Sequence, residues 1–124
     1  MNTEAIIQEL LAFSNQIRYV AIYHNNELKL RQKEEILENS SSKQTDRFEE
    51  LLVNPTLLTL TSQRGNIDCG GLDHLIIGYG NFHQLVKPLS KGHLSVCLEK
   101  DADLNIIPGK IVSFLATKFP EMIF

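Results

Sequence analysis

The stretch DHLIIGYGNFHQLVKPLSKGHLSVCLEKD, residues 73–101, decides the fold because it contains three strand-length runs in succession. The runs DHLIIGYG, FHQLVKPL and HLSVCLEK are rich in apolar and β-branched residues. They are separated by Gly80-Asn81 and by Ser90-Lys91-Gly92, which suit tight hairpin turns. The sequence therefore predicts an antiparallel meander of three strands.

The flanking segments predict two helices and a hairpin. Apolar residues recur at helical spacing behind Asn2 and Thr3, which can cap a helix over about residues 3–14. IRYVAIY and LKLRQ are joined by HNNE, whose two asparagines tolerate positive φ, so this pair predicts a β-hairpin. Near the other terminus, LNIIPGKIVSFLATKF predicts a helix with Pro108 in its first turn and Pro120 beyond its end.

The middle of the chain predicts a loop and a second helix. ENSSSKQTD, residues 38–46, has almost no apolar content and predicts a flexible loop. Asp46 and Glu49 form a candidate capping box for a helix over about residues 45–66. Pro55 should kink or end this helix, and the alternating threonines and leucines of TLLTLTSQ leave a strand open as the alternative.

These elements predict a single α+β domain over residues 1–124, in the order α-β-β-α-β-β-β-α with a five-stranded antiparallel sheet. YVAIY in the first strand and LIIGY in the third are apolar at consecutive positions. Such runs are typical of strands that are covered on both faces. We therefore expect three layers, with helices on each side of the sheet.

Composition and charge argue against several classes of function. The 124 residues include 43% hydrophobic and 22% charged side chains, which is typical of a globular domain. The net charge is −3, and no dense run of Lys or Arg is present, which disfavours nucleic-acid binding. MNTEAIIQELLAF resembles no signal peptide, and no apolar run approaches the about 20 residues of a membrane span. With two cysteines, interpreted as reduced thiols, the expected location is the cytoplasm.

Three of the four histidines, His74, His83 and His93, lie nine and ten residues apart and suggest a metal site at first sight. The predicted turns place His83 at the opposite end of the meander from the other two. A whole strand separates His74 from His93, so their backbones lie about 10 Å apart. Zinc ligands lie about 2.0 to 2.1 Å from the metal, so we expect no metal site and assign these residues to strand ends or to the surface.

Other candidate motifs are also incomplete. Gly78-Tyr79-Gly80 lacks the third glycine and the following helix that a nucleotide loop requires. Cys69 is predicted near the negative end of a helix and Cys97 in a central strand, so neither is expected to be a nucleophile. The acidic residues Glu99, Asp101 and Asp103 are too few for a specific calcium loop. We expect no cofactor and no catalytic residue, and hence a protein that is not an enzyme.

The order of elements resembles that of the roadblock family, which includes roadblock-type dynein light chains, bacterial polarity-protein-like domains and small archaeal proteins. The similarity covers about residues 4–118 and lies in IRYVAIYHNNELKL, VKPLSKGHLSVCLEKDAD and NIIPGKI. Pro55 and the serine-rich loop depart from the family pattern. The resemblance implies a profilin-like three-layer fold with the first and last helices on one face and the second helix on the other.

The resemblance also implies a homodimer in which third strands pair edge to edge and second helices pack side by side. Here these elements would be about Asp73–Gly80 and Asp46–Gln63, and the expected interface residues are Phe48, Leu51, Leu52, Leu75, Ile76, Ile77 and Tyr79. Family members commonly bind or regulate Ras-like small GTPases without catalysis. For a partner surface the sequence offers Arg47, Glu50 and Arg64, expected as an exposed rim, although ordinary solvated charges explain them as well. The alternative is a ligand-sensing module, since profilin-like sheets can enclose a small molecule.

Overall fold

The computed structural model describes residues 2–33 and 43–123 of the chain. Its elements are α1 (Thr3–Phe13), β1 (Ile17–His24), β2 (Glu27–Gln32), α2 (Lys43–Phe48), a π-helical segment (Glu49–Val53), α3 (Asn54–Asp68), β3 (Leu75–Gly78), β4 (Phe82–Leu89), β5 (Gly92–Glu99), α4 (Ile107–Lys118) and a 3-10 turn (Pro120–Met122). The segments α2, π and α3 follow one another without a break, and together they are called the long helix. The predicted α+β class and order of elements are confirmed.

The five strands form one antiparallel sheet in the order β2-β1-β5-β4-β3. Asn25 and Asn26 have φ angles of 53° and 65°, so the β1–β2 turn uses the left-handed conformation that asparagine tolerates. β5 lies at the centre of the sheet between β1 and β4, and β2 and β3 are its edges. The predicted hairpin and the predicted three-strand meander are both confirmed.

Helices α1 and α4 cover one face of the sheet and enclose the main apolar core. The N-cap Asn2 accepts a hydrogen bond from the Ala5 amide, and Pro108 lies in the first turn of α4, as predicted. Both helices turn an apolar stripe toward the sheet. The core consists of Ile6, Ile7, Leu10, Ile17, Val20, Ile22, Leu85, Leu89, Leu94, Val96, Leu98, Ala102, Ile107, Ile111, Leu115 and Met122.

The long helix covers the opposite face of the sheet, where the apolar cluster is much smaller. This cluster consists of Tyr19, Ala21 and Cys97, with Leu28, Leu30 and Phe82 partly buried against it. Neighbouring residues of a strand alternate between the two faces of the sheet, and paired residues of adjacent strands share a face. The side chains of this cluster therefore lie on the face opposite that of Val20 and Val96. The sheet therefore lies between two helical layers.

The long helix passes through Pro55 without ending, by means of the π-helical segment that precedes the proline. The Asn54 amide donates to the Glu49 carbonyl, one residue further back than in an α-helix. Pro55 then lies in the first turn of α3, where a missing amide proton is tolerated. The π-helical segment and Pro55 thus compensate for each other, and the helix continues through both.

The predicted beginning of the long helix is wrong. Asp46 lies inside α2 rather than at its N-cap, and it is almost fully buried. Residues 43–46 of the predicted flexible loop are helical, and residues 38–42 of that loop lie outside the described residues. A polar run was interpreted as a loop because the sequence does not reveal that its acidic residue faces the protein interior.

The prediction that both faces of a strand are covered is confirmed for β1 and wrong for β3. Residues 17–22 of β1 are all buried. β3 is shorter than predicted, and its burial alternates, with Ile76 and Gly78 exposed. The reason is the position of β3 at the edge of the sheet, where α1 and α4 do not cover it.

Two glycine substitutions should change stability in opposite directions. A Cβ on Gly92 would lie 1.7 Å from the Tyr23 carbonyl oxygen, so Gly92→Ala forces β1 and β5 apart and should cost about 3 kcal/mol or more. A Cβ on Gly109 in α4 meets nothing within 4 Å, so Gly109→Ala should stabilise by about 0.5 to 1 kcal/mol. Urea unfolding of both variants measures the difference, and equal effects would contradict the register of β1 and β5.

Candidate functional site

The outward surface of the long helix carries five large apolar side chains among exposed polar ones. We call this surface the apolar ridge and define it by Phe48, Leu51, Leu52, Leu60 and Ile67, which are all exposed. Phe48 is 56% exposed and Ile67 is 76% exposed. Groups of exposed large apolar residues on one element are typical of protein–protein contact surfaces.

The edge strand β3 adds a second exposed feature. β4 pairs with one side of β3, and within the described parts of the chain no strand pairs with the other side. The register places Leu75 and Ile77 on the face of the long helix and Ile76 on the face of α1 and α4. An edge strand with no charge or proline can pair with a further strand.

Two of the three predicted partner-binding residues are exposed, and the third is not. Arg47 is exposed on α2, and Arg64 forms an exposed ion pair with Asp68 at 2.7 Å. Glu50 is fully buried, so its expected position on an exposed rim is wrong. Its side chain points from the long helix toward the sheet, because two of its three partners lie there.

Glu50 is the centre of a buried polar cluster between the long helix and the sheet. The Tyr19 hydroxyl donates to Glu50 Oε2 at 2.9 Å, and the side-chain amide of Asn54 donates to Glu50 Oε1 at 2.9 Å. His93 Nε2 lies 2.8 Å from the same Oε1 atom. We call Glu50, Tyr19, Asn54 and His93 the carboxylate cluster. A fully buried carboxylate requires such partners, because an unpaired charge in the interior is very costly.

The surroundings of the carboxylate cluster favour the protonated forms of Tyr19 and of Cys97. Burial raises the pKa of Tyr19, and the adjacent charge of Glu50 raises it further, so the phenol remains a hydrogen-bond donor. Burial, followed by the charges of Glu49 and Glu50, raises the pKa of the Cys97 thiol well above its usual range. The raised pKa disfavours the thiolate, as expected for a structural cysteine.

A cleft of about 450 Å³ opens between the long helix and the β3–β4 turn. Burial and then the charge of Glu50 raise the pKa of Glu49, whereas a polar interaction with the Tyr79 side chain lowers it. Tyr79 and Phe82 pack at 5.5 Å between ring centroids. The cleft is lined by Thr45, Phe48, Glu49, Val53, Tyr79, Gly80, Asn81 and Phe82.

His83 and His93 occupy the strand positions that the turns predict, whereas His74 directly precedes β3 and is not part of a strand. Gly78 pairs with His83 and Pro88 with His93, so His83 and His93 lie at opposite ends of the meander. His93 is at a strand end as predicted, but it is 2% exposed and therefore not a surface residue. Across residues 2–33 and 43–123, no three His, Cys, Asp or Glu side chains form a group that could hold a metal ion.

Comparisons with known proteins found no protein-family model that matches the chain and no matching curated protein. In the part of the chain that the structure describes, no helix is both long and apolar enough to cross a membrane.

Sequence reasoning identified the exposed residues of the long helix but missed the carboxylate cluster. A signal was present, since Asp46, Glu50 and Asn54 recur every four residues and thus form a polar stripe on one side of a helix. That stripe is naturally assigned to solvent, because amphipathic helices usually turn their apolar side inward. Tyr19 and His93 are 31 and 43 residues away from Glu50, so helical periodicity cannot reveal them.

Removing the Tyr19 hydroxyl should show how much the carboxylate cluster contributes to the stability of the protein. Tyr19→Phe deletes a hydrogen bond to a buried charge and should lower the free energy of unfolding by about 1.5 to 3 kcal/mol. Tyr23→Phe is the matched control, because its hydroxyl makes a 3.3 Å exposed contact with Asn26 and should change stability by less than about 0.5 kcal/mol. Chemical denaturation compares the two, and equal losses would count against a structural role for this cluster.

Proposed function

We propose that the protein is a cytoplasmic, noncatalytic homodimeric scaffold that binds a protein partner. The observation that supports this proposal is the inverted polarity of the long helix. Its inner side carries the carboxylate cluster, and its outer side carries the apolar ridge. An apolar surface of this kind is stabilised when another protein covers it.

A second copy of the chain suits this surface well. Antiparallel pairing of two β3 edges would join two sheets and satisfy the free backbone groups of both. If the twofold axis is perpendicular to the joined sheet, both long helices lie on the same face and run antiparallel. The same patch then meets itself and the assembly closes, which is the usual arrangement of soluble dimers.

The protein partner that the roadblock resemblance suggests is a Ras-like small GTPase. Arg47 and Arg64 are exposed on the long helix and are available as a charged rim. Rim charges of this kind mainly accelerate association and select the partner.

The second candidate function is a small-molecule-sensing module, favoured by the cleft of about 450 Å³ beside Glu49. Cavities that bind small molecules commonly fall in this range of volume. Light scattering with native mass spectrometry separates the two functions. If the protein is a homodimeric scaffold, its measured mass should be twice that of one chain. A monomer that carries a bound small molecule would contradict the scaffold function.

A charge on the apolar ridge should dissociate the dimer without unfolding the protein. Leu52 is 54% exposed, so Leu52→Asp should cost less than about 0.5 kcal/mol in the isolated chain and should yield a monomer. Ile106→Asp is the matched control, because Ile106 is 49% exposed at the beginning of α4, outside the ridge. Light scattering should find the control dimeric, and a dimeric Leu52→Asp variant would contradict the proposed interface.

Substitutions in β3 should separate assembly from folding. Ile76→Asp introduces a charge at an exposed edge position and should mainly weaken the dimer. Ile77→Asp introduces a charge at a half-buried position on the face of the long helix and should also lower the free energy of unfolding by about 1 to 3 kcal/mol. Light scattering and denaturation measure the two effects. Unchanged dimers of unchanged stability in both variants would contradict the role of β3.

A further inference from the structure

The cleft beside the long helix combines aromatic walls with a carboxylate. Phe48 comes from α2, and Tyr79 and Phe82 come from the β3–β4 turn and the beginning of β4. Glu49 is half-buried among these rings, and within the described residues it forms no ion pair. The faces of aromatic rings carry partial negative charge, so they attract cations.

Acidic side chains lie on the helix that forms one wall of the cleft, and basic side chains contact its other wall. Asp46, Glu49 and Glu50 belong to the same helix, and burial, followed by the charge of Glu50 and then that of Asp46, raises the pKa of Glu49. On the opposite wall, Arg18 pairs with Glu99 at 3.1 Å, and the Lys100 ammonium donates to the Tyr79 carbonyl. A cation in the cleft would relieve the repulsion among the three carboxylates.

We propose that the cleft binds the guanidinium group of an arginine carried by a partner protein. A guanidinium can stack on an aromatic ring and present two parallel N–H groups to one carboxylate. Phe48, Tyr79 and Phe82 would supply the rings, and Glu49 would supply the carboxylate. This inference depends on the proposed function only in that a protein carries the arginine.

The protein already contains the same combination of groups next to the cleft. The guanidinium carbon of Arg18 lies 5.6 Å from the centroid of the Phe82 ring, and its Nη1 atom pairs with Glu99. Arg18 is available for this contact because a bulge in β1 shifts the register between Ile17 and Tyr19. An arginine between a ring and a carboxylate is thus a stable arrangement in this fold.

An apolar occupant fits the cleft less well. A leucine or phenylalanine from a second copy would cover Glu49 and remove it from water without providing a hydrogen-bond donor. Further burial of a carboxylate that has no cationic partner is unfavourable. A basic occupant avoids this penalty and still gains contact with the three rings.

The test is a titration of the full chain followed by NMR chemical shifts. The probe is Nα-acetyl-arginine amide, and the matched control probe is Nα-acetyl-citrulline amide, which has nearly the same shape without the charge. The arginine probe should shift the backbone signals of Glu49, Tyr79, Gly80 and Asn81 and should bind about fivefold more tightly than the citrulline probe. Equal affinity of the two probes would overturn the proposal.

A charge-removing variant should abolish this preference. Glu49→Gln should weaken binding of the arginine probe by about fivefold or more, and Glu121→Gln, exposed near the carboxyl terminus, should leave it unchanged. Light scattering of Glu49→Gln should match wild type, since Glu49 lies outside the apolar ridge, and urea unfolding checks that the variant is folded. Unchanged affinity in Glu49→Gln would assign the shifts to another site and overturn the proposal.

Two further measurements identify the source of the cation and separate this inference from the dimer. Agmatine, a free guanidinium compound, should bind no more tightly than the arginine probe, and tenfold tighter binding would identify a free small cation instead. Binding to monomeric Leu52→Asp but not to wild type would mean that a second copy fills the cleft, which also overturns the proposal. If wild type is monomeric and binds the arginine probe, the proposed dimer is contradicted and the proposed guanidinium site is supported.

Discussion

The hydrogen bonds of the buried Glu50 carboxylate fix the orientation of the long helix on the sheet. Tyr19 on β1 and His93 on β5 contact its two oxygen atoms, so the helix is attached to these two strands. A rotation of the helix by one residue, about 100°, would leave the carboxylate without its sheet partners. Because that loss costs several kcal/mol, the outward direction of the apolar ridge follows from the position of Glu50.

Pro55 and the π-helical segment join two stretches of helix that differ in phase. The extra residue in the turn at Glu49–Val53 shifts the phase of α3 relative to α2. Glu49 and Glu50 are neighbours at this point and face different surroundings, because consecutive residues of a helix point about 100° apart. Glu50 points toward the sheet, and Glu49 lines the cleft beside Tyr79.

Local chemistry made most of the fold predictable, whereas the candidate site depends on distant residues. Asn25 and Asn26 specify their turn through their own backbone preferences, and Pro108 and Asn2 mark helix beginnings in the same local way. The orientation of the long helix could not be predicted, because it carries both a polar and an apolar stripe. Only its contacts with Tyr19 and His93 decide which stripe is inside, and Glu50 was consequently assigned to an exposed rim.

A polar contact between the helix and the sheet favours one geometry over many. An apolar interface tolerates small rotations and shifts, since dispersion and hydrophobic contacts are not directional. Hydrogen bonds to a buried carboxylate tolerate few such rotations and shifts, because each lost bond leaves a desolvated polar atom. The apolar ridge and one wall of the cleft belong to the same helix, so the surface proposed for a partner is presented in one orientation. The apolar side chains of the ridge thereby stay on the outer side of the helix, exposed to solvent in the isolated chain.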